Sequence, residues 1–390
     1  SGNSPYDYLE GYNYNSGGAV LDGKWVIGSQ YRGLPVTQLS WQKVKMFNVG
    51  FEYGFFDNRL TGELNYFSRT LEGIPAGQGI NLPTEAGLSL PKVNKESQKI
   101  RGLDGSVKWT DKVRDFNYSV EGNFTLARKY EWERSPWKFS HSWEKYQNWY
   151  EKRYSSQWWG LECTGQFQDW EQIASYPVDI DGKGNTTLRP GDLIYKDTNN
   201  DGVINNMDKR PMGYRQGDVP CLSFNFNIAM SWKGFDLAVL FTGAALASFY
   251  MDMEMKNPLH DGGNSPAFML DDMWHLSDIN DPNSTYLPGK YPMVLAGNGN
   301  HSNYASDRLS TFWLRNVRYL KMRNFELGYT LPKRLVRKVN IENLRVFTSI
   351  QNLFSIDNVG DIGIDPEIAT QSGQQYPTTK VFSFGLNLTF

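Results

Sequence analysis

Cysteine is almost missing from the 390 residues: Cys163 and Cys221 are the only two. That is too few for a disulfide framework, although a single bridge pinning a loop stays open in an oxidising compartment. Missing too is any uninterrupted apolar stretch of about 20 residues, so no helix can cross a bilayer. The nearest candidate, Leu237 to Met251, is too short and reads better as a strand with Phe235, Leu237, Val239 and Phe241 on one face. Charge imbalance is small, with a formal −2, which argues against a nucleic-acid partner. No charged, apolar, small-residue leader opens the chain, and Ser1 to Tyr6 reads as the middle of a loop. Enzymatic motifs are also lacking. The histidines His141, His260, His275 and His301 fall in predicted loops without a close Cys or carboxylate arrangement, and there is no Gly-x-Ser-x-Gly or phosphate loop. The chain is therefore not expected to be an enzyme. The enzyme alternative, a surface glycoside hydrolase, would need two inward carboxylates facing a cleft.

What is present is aromatic and alternating. Aromatics make up 15% and charged residues 21%, a balance suited to a protein that needs Trp and Tyr where lipid meets water. The competing reading of that composition is an aromatic-rich β-sandwich. The end of the chain favours the membrane: Phe382, Phe384, Leu386, Leu388 and Phe390 alternate with polar or small residues. Successive strand side chains point to opposite faces, so this pattern puts one face in hydrocarbon and the other on a wet lumen.

The same alternation predicts eight more strands. Phe47, Val49, Phe51, Tyr53 and Phe55 share a face, Asp57-Asn58 turns the chain, and Leu60, Leu64 and Tyr66 continue the apolar side opposite Thr61, Glu63, Asn65 and Arg69. Further strands are expected near 99–110, 115–128, 221–232, 235–250, 318–331 and 343–354. Connections alternate between brief turns and long polar segments at 71–98, 129–220, 251–317 and 355–379, as at the periplasmic and extracellular ends of an outer-membrane barrel. The basic link from Pro332 to Glu342 is expected to hold a helical turn. Nine crossings are an odd number, whereas bacterial single-chain barrels have an even one. With the last strand ending on the periplasmic side, the chain would start outside, making residues 1–43 an extracellular loop segment and 44–390 barrel. An open nine-stranded sheet would leave two unpaired edges in lipid, so the chain is expected to complete a larger barrel.

Several phrases resemble the C-terminal third of the SusC/RagA family of TonB-dependent transporters. Leu39 to Lys43 followed by Asn48 to Leu60 is similar to a strand-turn-strand signature of the family, with Gln42 where Glu is more usual. Arg189 to Asp197, Tyr319 to Pro332, Ile350 to Phe354, Ile364 to Glu367 and Phe384 to Phe390 follow in the family's order and spacing. The resemblance implies an all-β transmembrane barrel of about 22 strands around an N-terminal plug, this chain contributing about nine. It also implies a SusD-like surface lipoprotein as lid, energy from the TonB complex through the missing N-terminal part, and oligosaccharide or peptide as cargo. A passive porin or surface binding protein is the alternative. Asn65, Asn117, Asn123, Asn225 and Asn227 would line the passage.

Two loop features carry site expectations. Asp197, Asn199, Asp201, Asn205 and Asp208 occupy positions 1, 3, 5, 9 and 12 of a calcium-type loop, with Gly202 at 6 and the Val203 carbonyl at 7. Asp replaces Glu at position 12. A structural calcium is expected there, against the plainer reading of an Asx-rich turn capping its own backbone. The segment Tyr130 to Tyr176 carries seven tryptophans. Trp158 and Trp159 are the candidates for stacking on cargo, weighed against a role in the loop's own core or its contact with the lid. Glu144-Lys145 and Glu151 to Arg153 are expected to face solvent on a short helix.

Overall fold

The computed structural model describes residues 8–31, 33–36, 40–79, 82–83, 85, 90–215, 219–259, 263–294, 303, 308–337, 341–367, 374, 376 and 378–390. Two compact units emerge, one of residues 1–49, 65–103 and 127–155 and the other of 50–64, 104–126 and 156–390. In chain order the strands begin with a hairpin, β1 (Tyr12–Leu21) and β2 (Lys24–Tyr31). The wall follows with β3 (Lys43–Phe55), β4 (Leu60–Ala76), β5 (Val93–Val113) and β6 (Phe116–Glu133). Loop strands β7 (Arg153–Tyr154), β8 (Gln157–Gly160), β9 (Cys163–Gln166), β10 (Leu193–Tyr195) and β11 (Arg210–Arg215) come next, then wall strands β12 (Leu222–Trp232) and β13 (Phe235–Tyr250). Short β14 (His275–Leu276) and β15 (Tyr286–Leu287) precede β16 (Leu314–Thr330), β17 (Asn343–Gln351), β18 (Ser355–Asp357) and the closing β19 (Val381–Thr389). The helices are α1 (Ser142–Asn148), α2 (Trp170–Ser175), α3 (Ala267–Leu270) and α4 (Lys333–Val336), the last being the helical turn expected after Pro332.

All nine expected wall strands form, in the order β3-β4-β5-β6-β12-β13-β16-β17-β19. Register explains the faces. Phe226 lies opposite Gly122 and Phe241, and Ile228 opposite Val120 and Val239, while Asn225 meets Asn123 and Thr242 on the other side. Leu386 opposite Val346 and Phe382 opposite Ile350 continue the apolar face across β17 and β19. Phe384 is 84% exposed and Leu386 63% exposed, an arrangement that water would penalise at about 25 cal/mol per Å² and hydrocarbon would not. Tight turns take the left-handed backbone that hairpin twist requires: Asp57 and Asn58 have φ of 58° and 62°, Lys233 and Gly234 46° and 91°. Where two bulky rings would crowd across strands, glycine gives way. A Cβ on Gly243 would overlap the Phe224 ring directly opposite, and one on Gly385 would overlap Phe347.

Several strands outrun the sequence expectation. The segment 71–98, read as a loop, is strand at both ends, leaving only 77–92 as the connection, and β6 continues to Glu133. A crossing needs about 9–11 residues, whereas β4 has 17, β5 21 and β6 18. Their extra lengths carry only short or broken apolar alternation, such as Tyr130 and Trp132 in β6. In the first unit they are joined by polar cross-strand contacts instead: Lys45 to Glu72 at 2.7 Å, Arg134 to Glu96 at 3.2 Å, and Lys99 over the Trp132 ring at 4.3 Å.

The long segments of the second unit fold around a core of their own. Phe167, Ile180, Leu193, Tyr195, Met251 and Trp313 are almost wholly buried. Burial lifts the Tyr195 phenol well above its usual range. Cys163 is half-buried and Cys221 buried, and both are free thiols, so the bridge left open by the sequence does not form.

Candidate functional site

The Trp pair separates by burial, because β8 alternates its side chains. Trp158 is 5% exposed and stacks at a tilt on Tyr250, 5.4 Å between centroids, inside the loop core. Trp159 is half-buried. Trp158 therefore packs inside the loop core, while Trp159 stays partly open.

The Asp197 to Asp208 loop is organised by its own carboxylates. Asp197 accepts N–H bonds from Asn200 (2.7 Å) and Gly202 (2.8 Å), and Asp201 from Val203 (3.0 Å). The Asn199 and Asn205 amides both donate to Asp201, at 2.9 and 3.3 Å, so positions 3, 5 and 9 converge. Gly202 (φ 83°) makes the bend. These hydrogen bonds hold the Asp201 carboxyl below its ordinary range. Asp208 behaves differently: it is fully buried, and its two oxygens accept from Thr198 (2.8 Å) and Asn205 (2.9 Å) as half of a capping box. Among the described residues no three His, Cys, Asp or Glu side chains converge as a metal site. A cation here would draw on one edge, with Asp197, Asn199, Asp201 and the Val203 carbonyl, and would reach Asp208 only by displacing two backbone bonds.

A companion turn lies alongside, joined by the parallel bridge Asp179 to Val203. Partial burial raises the Asp181 pKa, but hydrogen bonds from Thr187, Lys183 and Asn185 outweigh it and hold the carboxyl down at about 2.

Two of the family-like phrases, distant in sequence, meet on the polar side of β16. Lys321 is 4% exposed and its ammonium lies 2.8 Å from Asp365 and 3.0 Å from Glu367. Glu367 also pairs with Arg323 and accepts from the Tyr319 hydroxyl at 3.3 Å. Burial pushes Asp365 up, yet Lys321, the Thr378 hydroxyl and the Glu367 N–H together hold it below the usual carboxylate range. This clamp ties the segment after β18 to the wall. A third phrase, Arg189 to Asp197, is a staple of the loop core: buried Asp192 accepts from Arg189 N–H (2.7 Å) and the Asn303 amide (2.6 Å).

Elsewhere on the polar face, Asn117 donates to the Ser231 hydroxyl at 3.2 Å and Asn123 to Glu121 at 3.4 Å. Asn225 and Asn227 share that face by register, and Asn65 lies in β4. Asp236 and Glu326 both pair with Arg345. A large hollow of about 790 Å³ lies on the apolar face among Phe124, Phe224, Phe226 and Phe241, on the side read as facing lipid. His141 caps α1 through Nδ1, and His275 Nδ1 lies 3.0 Å from the Met273 carbonyl; His260 and His301 fall outside the described residues. Glu144 and Lys145 do sit on α1, but Glu144 accepts from Ser140 at 2.6 Å.

No family model matches the chain. Over 405 residues it is 22% identical to TonB-dependent receptor P3 of Formosa agariphila, covering 99% of this chain and 38% of that protein. TonB-dependent receptor SusC of Bacteroides thetaiotaomicron is also 22% identical, over 90% of this chain and 32% of its own length. The fold superposes on the RagAB peptide importer in its open-open state with a TM-score of 0.67 at 19% identity, covering 99% of this chain and 38% of that one. The closed-closed state gives 0.65 at 21%. The chain therefore spans well under half the length of the relatives it matches. Strand order and these similarities agree: the chain has the fold of part of a TonB-dependent transporter barrel and is similar in sequence to TonB-dependent receptors, SusC among them.

Proposed function

We propose that this chain supplies wall and extracellular loops to an outer-membrane importer that takes up oligosaccharides or peptides with energy from the TonB complex. The observation that carries the reading is the nine-strand wall, apolar on one face and polar on the other, ending at β3 and β19. Those two strands terminate the sheet order among the described residues, so the plug and remaining wall would come from the rest of the transporter. A SusD-like lipoprotein is the proposed lid over the loops, which would stand outside with the end of β19 in the periplasm. Trp159 is the member of its pair put forward for cargo contact. The names of the relatives describe receptors and an importer, which supports a role without catalysis.

The test is uptake of labelled oligosaccharides and peptides by cells with and without a functional TonB. Energy-dependent uptake that vanishes with TonB supports import; uptake indifferent to TonB favours the passive pore.

For the Asp197 loop we propose structural calcium on the edge formed by Asp197, Asn199, Asp201 and Val203, with Asp208 joining when its backbone bonds open. Support comes from the convergence of Asn199 and Asn205 on Asp201. Calorimetric titration of the intact complex with calcium should release heat that Asp201→Ala abolishes. Absence of heat would leave the self-capped turn.

A further inference from the structure

In the first unit, the segment following β6 folds back and, with Gly77, Gly79 and Glu96, encloses a cavity of about 420 Å³. Small-molecule sites run from about 300 to 1,000 Å³. Gly79 makes the enclosure feasible: its φ is 66°, and a Cβ there would collide with the Pro136 carbonyl. Aromatic rings supply the walls. Phe139 meets Trp149 edge-on at 5.9 Å between centroids, and Trp137, 63% exposed, also lines the cavity.

The charges that reach this cavity already have partners. Arg134 lies 3.2 Å from Glu96 and 3.5 Å from Glu131, and Glu96 also accepts the Ser135 N–H at 3.1 Å. Glu144 accepts from both the N–H and the hydroxyl of Ser140. A charged ligand would lose hydration here without gaining a free counter-ion. Neutral groups are what remain. The Ser135 hydroxyl is buried without a hydrogen-bond partner among the described residues, which disfavours the empty cavity until something bonds to it. Asn148 at the end of α1 and Tyr150 add an amide and a phenol to the lining. Flat apolar ring faces beside uncharged hydrogen-bonding groups match a pyranose, which has an apolar C–H face and hydroxyls around its edge.

We propose that this cavity is a carbohydrate subsite, holding one end of a neutral glycan with Trp137 as the stacking platform and Ser135 and Asn148 as hydrogen-bonding partners. It rests on the importer reading and narrows the cargo at this position to uncharged sugar.

The experiment uses the full-length transporter with its lipoprotein, titrated calorimetrically with maltotetraose, cellotetraose, mannotetraose and xylotetraose, and in parallel with a capped Gly-Ser peptide. At least one sugar should bind, and Trp137→Ala should weaken it by about tenfold, equivalent to about 1.4 kcal/mol. Because Trp137 is exposed, its loss should leave folding intact. Trp170→Ala, which removes a 55% exposed ring that does not line the cavity, should leave affinity within about twofold. Binding by none of the sugars, preference for the peptide, or sugar affinity indifferent to Trp137→Ala overturns the proposal. TonB-dependent peptide uptake without sugar binding would remove the subsite and leave the importer standing. Sugar binding lost in Trp137→Ala, with no TonB dependence of any uptake, would do the reverse.

Discussion

Asp365→Asn removes one of two carboxylates facing a lysine that has almost no access to water. Lys321 is 5% exposed in its side chain, Asp365 14% and Glu367 27%, so solvent can do little to compensate. Stripping one partner from a buried ion pair costs about 3–5 kcal/mol. Here Glu367 stays in place at 3.0 Å, which brings the expected loss to about 2–3 kcal/mol. The loss should be local, because Asp365 belongs to the segment clamped on β16 and the wall keeps its ladder hydrogen bonds. Each 1.4 kcal/mol is a factor of ten, so amide exchange across residues 358–367 should quicken roughly 30- to 140-fold, with wall strands unchanged. The double variant Lys321→Met with Asp365→Asn should regain part of the protection, since no unpaired ammonium remains and Glu367 keeps Arg323. The pH dependence has a definite sign. A carboxyl held below its ordinary pKa of about 3.9 contributes stability that is full above that value and is lost as pH falls through the depressed one. Protection that is unchanged in Asp365→Asn, or that worsens additively in the double variant, would refute the clamp.

Three further outcomes are expected. Asp181→Ala removes a carboxylate bonded to three backbone N–H groups and a hydroxyl; the turn at 179–187 should lose about 1 kcal/mol of local stability, read by amide exchange, and acid should do the same between about pH 4 and the Asp181 value of about 2. Gly385→Val would drive its side chain into the Phe347 ring and should slow or block barrel assembly, read as loss of the heat-modifiable band on a gel, with Phe347→Ala/Gly385→Val partly restoring it. Phe384→Arg should destabilise the inserted barrel by up to about 2–4 kcal/mol, depending on depth, and Ser383→Arg far less, measured by reversible unfolding from vesicles.

The wall was legible in the sequence because a strand between lipid and lumen must alternate, and β12 or β19 can hardly be read otherwise. Alternation failed where its cause is absent. The extensions of β4, β5 and β6 are held by pairs such as Lys45 with Glu72, and a polar strand with polar neighbours looks like a loop. The β1–β2 hairpin lies in residues expected to be loop, although Asp22-Gly23, with φ of 50° and 75°, is a strong hairpin signal. Trp158 and Trp159 could not be told apart by residue type, since only the pleat of β8 decides which ring enters the core. The clamp was invisible for another reason: Lys321 and Asp365 each belonged to a noticed phrase, but nothing local says that one folds onto the other. Ser135, Trp137 and Trp149 lay within a segment noted for its tryptophans, and only the fold-back over Gly79 brings them together.

The most direct measurement places a spin label in turn at 382, 383, 384, 386 and 387 of the full-length protein in lipid vesicles and compares collisions with oxygen and with a water-soluble nickel complex. Labels at 382, 384 and 386 should favour oxygen and those at 383 and 387 the nickel complex, a period of two set by the pleat. Equal access of the nickel complex to all five positions would contradict a wall with one face in hydrocarbon.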